Sequence, residues 1–154
     1  MRRAWQVVQT YPAARIFIYG ESLGGGMAVR LAAECCQKGD VPGGLIVQSS
    51  FTSLVEAGGY HFPWLPVSWL LIDRYASIER INKVTCPILV LHGKRDSIVP
   101  FSMGRKLFET AAEKSESGVA KEFIELECDH NDVYGYAGVF AAPLKEFFDA
   151  WKGK

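Results

Sequence analysis

Apolar residues along this chain gather in short continuous runs separated by longer stretches of mixed polarity. The runs are Ile16-Phe17-Ile18-Tyr19, Gly44-Leu45-Ile46-Val47, Ile88-Leu89-Val90-Leu91 and Phe123-Ile124-Glu125-Leu126. Short apolar runs bounded by turn residues and rich in β-branched side chains read as buried strands. Strands are expected over residues 15–19, 44–48, 87–92 and 121–126. Between them the spacing shifts to the period of helices, over 23–38 (closed by Gly39), 102–114 and 141–151. In the last of these, Leu144, Phe147, Phe148 and Trp151 fall at helical spacing. A short helix over 4–9 is stopped by Tyr11-Pro12, and a helical turn over 53–57 is stopped by Gly58-Gly59. Residues 60–75 make an excursion rich in proline and aromatic side chains.

A strand that is apolar throughout must be covered on both faces, as in a parallel sheet. Alternation of such strands with helices gives right-handed βαβ units. The expected fold class is therefore α/β: a three-layer sandwich with a mostly parallel sheet of about four strands and flanking helices. In such sheets ligands sit at the C-terminal ends of the strands.

Candidate chemistry falls at those ends. The first run leads into Gly20-Glu21-Ser22-Leu23-Gly24, and a helix-like stretch from Met27 to Cys36 follows. This is G-x-S-x-G at a strand-to-helix turn. A serine hydroxyl is a poor nucleophile until it is lifted from the backbone and set beside a base. A tight turn does the lifting, and glycines on both sides of Ser22 are expected to be required, because a Cβ there would clash as strand and helix close. The helix N-terminus then offers the N–H of Leu23 to a developing oxyanion. Asp96 follows the third run and His130 follows the fourth. The order Ser, Asp, His, each at a strand end, is that of a nucleophile, an orienting acid and a base. Asp132 is second choice as the acid. His92 reads as a packed strand residue, and His61 lies in the excursion. Gly24-Gly25-Gly26 lacks the Lys-Ser/Thr of a phosphate loop, so it reads as close helix packing. Glu56, Asp73 and Arg74 read as solvated.

Composition narrows the picture. The chain has 154 residues, 17 basic and 17 acidic, so its formal charge is zero. That argues against nucleic acid or an anionic membrane as the main partner. Cys35, Cys36, Cys86 and Cys128 have no metal-like spacing, which suggests free thiols in a reducing, cytoplasmic setting. The stretch Ala4-Trp5-Gln6-Val7-Val8-Gln9 is too polar for a signal-peptide core. The most apolar window, residues 62–72, is short and broken by Pro63 and Pro66, so no transmembrane segment is expected.

Three segments carry a resemblance. They are Tyr19-Gly20-Glu21-Ser22-Leu23-Gly24-Gly25, Cys86-Pro87-Ile88-Leu89-Val90-Leu91-His92-Gly93-Lys94-Arg95-Asp96-Ser97-Ile98-Val99-Pro100, and His130-Asn131-Asp132. Together they resemble the α/β-hydrolase superfamily. They are most similar to its small-lid cytosolic branch, related to the serine aminopeptidases and protein depalmitoylases. The second segment is the most specific, resembling the strand and turn that deliver the acid. The likeness runs from about Arg15 to the C-terminus. It implies Ser22 as nucleophile, His130 as base and Asp96 as the residue orienting that base. It also implies a small lid over residues 60–69, with Trp64 and Trp69 lining an acyl pocket that Phe51 faces; the plainer reading is a packed loop.

Two positions depart from the family pattern. Small residues usually precede the histidine, whereas Cys128-Asp129 stand here, and Asp129 is expected to compete for the imidazole or raise its pKa. The family also has several strands before the elbow and a His-Gly-type loop that supplies half the oxyanion hole, whereas this chain begins one helix before the elbow and no such loop precedes Ser22. The chain thus reads as a single, N-terminally truncated α/β-hydrolase domain over residues 1–154. The expected function is hydrolysis of small-molecule or acyl-protein esters or thioesters, with no metal or organic cofactor. The alternative is an inactive or half-site fragment serving as a binding or assembly module. Truncation would turn an interior strand into an edge, which invites a homodimer or pairing with a missing N-terminal half.

Overall fold

The computed structural model describes residues 10–66, 69 and 74–152. The expected helix over 4–9 and part of the excursion, Asp73 included, lie outside them. Four strands form one sheet: β1 (Phe17–Glu21), β2 (Gly44–Gln48), β3 (Ile88–Gly93) and β4 (Glu122–Leu126). Their spatial order is β1-β2-β3-β4, and each neighbouring pair is parallel. The main helices are α1 (Leu23–Gln37), α2 (Leu54–His61), α3 (Phe101–Thr110) and α4 (Ala137–Lys152).

Strand alternation divides the core into two layers. Ile18, Leu45, Val47, Ile88 and Val90 pack with Ala28, Val29, Ala32 and Ala33 of α1 and Leu107 of α3. Ile46, Leu89, Leu91, Ile124 and Leu126 pack with Phe147 of α4 on the other side. The result is helix, sheet, helix, as the continuous apolar runs imply. Every residue of β2 and β3 is buried. Burying each Leu, Ile or Val side chain stabilises the fold by roughly 1.5–3 kcal/mol, so these two strands anchor the domain.

Several boundaries differ from the sequence reading, each for a local reason. β1 runs on to Glu21, because Gly20 and Glu21 pair with Val47 and Gln48 right up to the turn. α2 extends through Gly58-Gly59 to His61 instead of stopping at 57. Its start is capped by the Ser53 hydroxyl, which accepts from the Glu56 N–H, and its end is closed by the Phe62 N–H donating to Gly58. α3 ends at Thr110 rather than 114. The Lys121 ammonium donates to the carbonyls of Phe108 (2.7 Å) and Ala111 (2.9 Å), closing the helix end from outside. Lys114 is drawn instead into an antiparallel bridge with Ala120. α4 begins four residues earlier than expected, at Ala137, directly after a 3-10 turn over Val133–Tyr136.

Candidate active site

The turn after β1 is strained. Ser22 has φ 49° and ψ −120°, a conformation that costs a residue with a Cβ on the order of 1–3 kcal/mol. It persists because both sides of the residue are held. The Ser22 N–H donates to the carbonyl of Gln48 at 2.9 Å, and the Ser22 carbonyl accepts from the Ser50 hydroxyl at 2.8 Å. The glycine requirement is real but shifted from the sequence expectation. A Cβ on Gly20 would lie 2.4 Å from the Gly24 carbonyl oxygen, and one on Gly25 would lie 2.3 Å from the Ser50 hydroxyl oxygen. A Cβ on Gly24 would meet nothing within 4 Å. Gly20 and Gly25 therefore let strand and helix close, while Gly24 does not.

Asp96 stands in the turn after β3. Its Oδ1 accepts from the N–H groups of Ile98 (3.0 Å) and Val99 (2.7 Å). Its Oδ2 lies 2.8 Å from Nδ1 of His130 and 3.3 Å from Nε2 of His92. Burial pushes this carboxyl up. The hydrogen bonds from His92, the Val99 N–H and His130 outweigh burial and hold it below the usual carboxylate range.

His130 follows β4 and is 6% exposed. Its Nε2 lies 3.1 Å from the Ser22 hydroxyl oxygen. With a carboxylate facing Nδ1, the ring proton sits there and Nε2 presents its lone pair to the hydroxyl. Ser22, His130 and Asp96 thus form a continuous hydrogen-bonded line across the ends of three strands. Leu23 opens α1, and its N–H belongs to the first turn, where helical N–H groups have no acceptor within the helix.

Asp129 does not do what its position in sequence suggested. Its carboxylate accepts from the Ser97 N–H (2.7 Å), the Ser97 hydroxyl (2.9 Å) and the His130 N–H (2.7 Å). It ties the turn bearing Asp96 to the turn bearing His130 and makes no bond to the imidazole. Asp132, the second choice as acid, is an exposed turn residue whose carbonyl accepts from Gly135. Glu56 is not simply solvated: it accepts from the Thr52 hydroxyl at 2.5 Å and from Lys106 at 3.3 Å.

The three aromatic residues expected in the pocket separate. Phe51 is 3% exposed, in a small cluster with Ala57, Val99 and Met103. Trp64 and Trp69 are 75% and 90% exposed. His61 links α2 to the Asp96 turn, its Nε2 lying 2.6 Å from the Ile98 carbonyl.

Sequence reasoning missed several residues of the surrounding network. Ser50 supports the strained turn. The Tyr134 hydroxyl donates to Glu21 at 2.6 Å, joining the turn of Ser22 to the segment after His130. His92 sits beside the Asp96 carboxylate. Its one signal was its place four residues before Asp96, and only the intervening turn brings the two side chains together.

No protein-family model matches the chain. The chain is 48% identical over 100 residues to an uncharacterized protein of Mycobacterium tuberculosis, an alignment covering 65% of this chain and 34% of that protein. It is 37% identical over 123 residues to the lysophosphatidylserine lipase ABHD12 of Danio rerio, covering 71% of this chain and 32% of that protein. The chain thus spans about a third of the length of these curated relatives. Among solved structures, an esterase of Pyrococcus furiosus superposes with a TM-score of 0.68 at 19% identity, over 90% of this chain and 53% of the esterase. A parallel α/β sheet shared with solved hydrolases, and sequence shared with named lipases, place this chain in the α/β-hydrolase superfamily, of whose fold it carries a C-terminal portion.

Proposed function

We propose that this chain is a serine hydrolase acting on carboxylic esters or thioesters. The observation that carries this reading is the line from the Ser22 hydroxyl through His130 to Asp96, at 3.1 and 2.8 Å. Ser22 attacks the acyl carbonyl while His130 Nε2 takes its proton. Asp96 holds the ring in the required tautomer and stabilises the imidazolium. The oxyanion is met by the N–H of Leu23. His130 then returns the proton to the leaving group, and water attacks the acyl-serine by the same route in reverse. The lipase and esterase names of the relatives support this class of reaction. On the strength of the same name, an acyl ester of a lysophospholipid is the first substrate to try, with the exposed Trp64 and Trp69 contacting its acyl chain.

The test is labelling by a fluorophosphonate probe together with hydrolysis of p-nitrophenyl acetate. Ser22→Ala should abolish both. With one oxyanion donor identified, turnover should be slow, since such a donor is worth about 10²- to 10³-fold. Turnover as fast as that of a complete hydrolase would mean that a second donor comes from elsewhere. Activity unchanged in Ser22→Ala would remove the assignment of the nucleophile.

One observation favours a second reading, that of a half-site which completes itself by assembly. Among the described residues β1 has a strand neighbour on one side alone, and its Tyr19 is 51% exposed. Unpaired edge N–H and C=O groups are a template for another strand. Pairing there with a second copy or another chain should appear as an assembly by light scattering. A stable monomer at high concentration would remove this reading.

A further inference from the structure

The structure assigns to His92 the role of a positioning residue for Asp96, an inference that rests on the reading of Ser22, His130 and Asp96 given above. Sequence spacing presents His92 as strand packing, and its ring is indeed fully buried. Its contacts are more specific than packing requires. Nε2 lies 2.9 Å from the Val99 carbonyl oxygen and 3.3 Å from Oδ2 of Asp96. Both neighbours are acceptors, so the ring proton sits on Nε2, and the N–H that holds Val99 also faces the carboxylate.

Val99 is the residue whose own N–H donates to Asp96 Oδ1 at 2.7 Å. His92 therefore holds the turn from both sides. It fixes the carbonyl of Val99 while the N–H of Val99 fixes one carboxylate oxygen, and it faces the other oxygen directly. That other oxygen is the one that meets His130. The carboxylate is left with little freedom to rotate away from the imidazole.

The ring of His92 is locked in turn. Phe101 stands edge-on to it, with centroids 5.9 Å apart and planes at 88°. α3 approaches closely enough that a Cβ on Gly104 would lie 2.1 Å from Nδ1. Nδ1 has no hydrogen-bond partner among the described residues. A buried ring nitrogen without a partner is a desolvation cost that an apolar strand residue would avoid. The Nε2 contacts are the compensation.

The role separates from packing in three proteins: wild type, His92→Phe and His92→Gln. Phe keeps the ring and removes the donor. Gln carries an amide N–H to nearly the place of Nε2. Circular dichroism and Tm establish the folded fraction, and His92→Leu serves as the donor-free variant if Phe does not fold. With p-nitrophenyl acetate, His92→Phe should lower kcat about tenfold with KM unchanged, and His92→Gln should recover most of it. NMR of histidine-labelled protein should show the Nδ1-protonated state of His130 weakened in His92→Phe and retained in His92→Gln. Undiminished kcat in folded His92→Phe, or Gln and Phe variants equally impaired, overturns the assignment. If the wild type cleaves no ester, the proposed function fails. The NMR comparison still decides this inference, and an unperturbed His130 in His92→Phe overturns it.

Discussion

Two neighbouring parts of this molecule are built in opposite ways. The turns that follow β3 and β4 are cross-tied by polar contacts at nearly every step. Asp96 accepts from two backbone N–H groups and faces two imidazoles, and Asp129 joins one turn to the other. The end of α2 and the segment after it are aromatic instead, and Tyr60, Phe62, Trp64 and Trp69 are all at least half exposed. Their aromatic rings contact one another, as Phe62 does Trp64 at 6.4 Å, rather than a polar frame. The contrast follows from what each part is proposed to do. Proton transfer between Ser22 and His130 needs atoms held to a few tenths of an ångström. An acyl chain asks only for apolar surface.

The contrast can be broken most forcefully at the turn of Ser22. Gly25→Ala sets a Cβ against Ser50, while Gly24→Ala meets open space. Overpacking of this kind costs about 1–3 kcal/mol, or roughly 3–10 °C in Tm for a domain of this size. Thermal unfolding should show that loss for Gly25→Ala, with ester hydrolysis lost as well, and little change for Gly24→Ala. Equal effects at the two positions would show that the turn is not seated on Ser50.

A smaller effect is expected at the tie between the two turns. Asp129→Ala should lower kcat about tenfold while the protein stays folded, since it frees the turns of Asp96 and His130 from each other. The carboxyl of Asp129 is held below its usual range by the backbone N–H groups of Ser97 and His130 and by the Ser97 hydroxyl. A carboxylate depressed in the folded state adds stability above its unfolded pKa of about 4, and that stability is lost as pH falls through the folded value. Denaturant midpoints measured from neutral pH down through that range should therefore fall less steeply in Asp129→Ala than in wild type. Asp96, depressed as well, contributes to the slope that remains.

The smallest change in stability belongs to the aromatic segment. Trp64→Ala and Trp69→Ala remove side chains that are mostly in water. Their Tm should match wild type within about 1–2 °C. If the segment contacts the acyl chain, KM for a long-chain ester should rise by up to roughly tenfold while acetate hydrolysis is unchanged. Identical kinetics on both esters would separate the aromatic segment from the substrate.

Much of this arrangement was legible in the chain. Four apolar runs named four strands, and the two inner ones, β2 and β3, are buried throughout, because a strand covered on both faces has no polar side to show, whereas β1 and β4 at the sides of the sheet are part-exposed. The turn at Ser22 and the strand-end positions of Asp96 and His130 were legible for a related reason. Strand ends and tight turns are local, and their residue types are set by local backbone geometry. Beyond the meeting of Ser22, Asp96 and His130 themselves, the contacts between loops far apart in sequence were not legible. Parallel register puts Val90 beside Phe123 and so carries the end of β3 next to the end of β4. From that, Asp129 meets Ser97, 32 residues away, rather than the imidazole beside it. The same holds for the glycine that matters at the Ser22 turn, which depends on where Ser50 lies under α1. It holds for the end of α3, which is closed by Lys121 from outside the helix, and for His92, which only the turn through Val99 brings to Asp96. A residue's type and spacing determine which element it joins, but its partner is chosen by packing and register, which only the folded chain possesses.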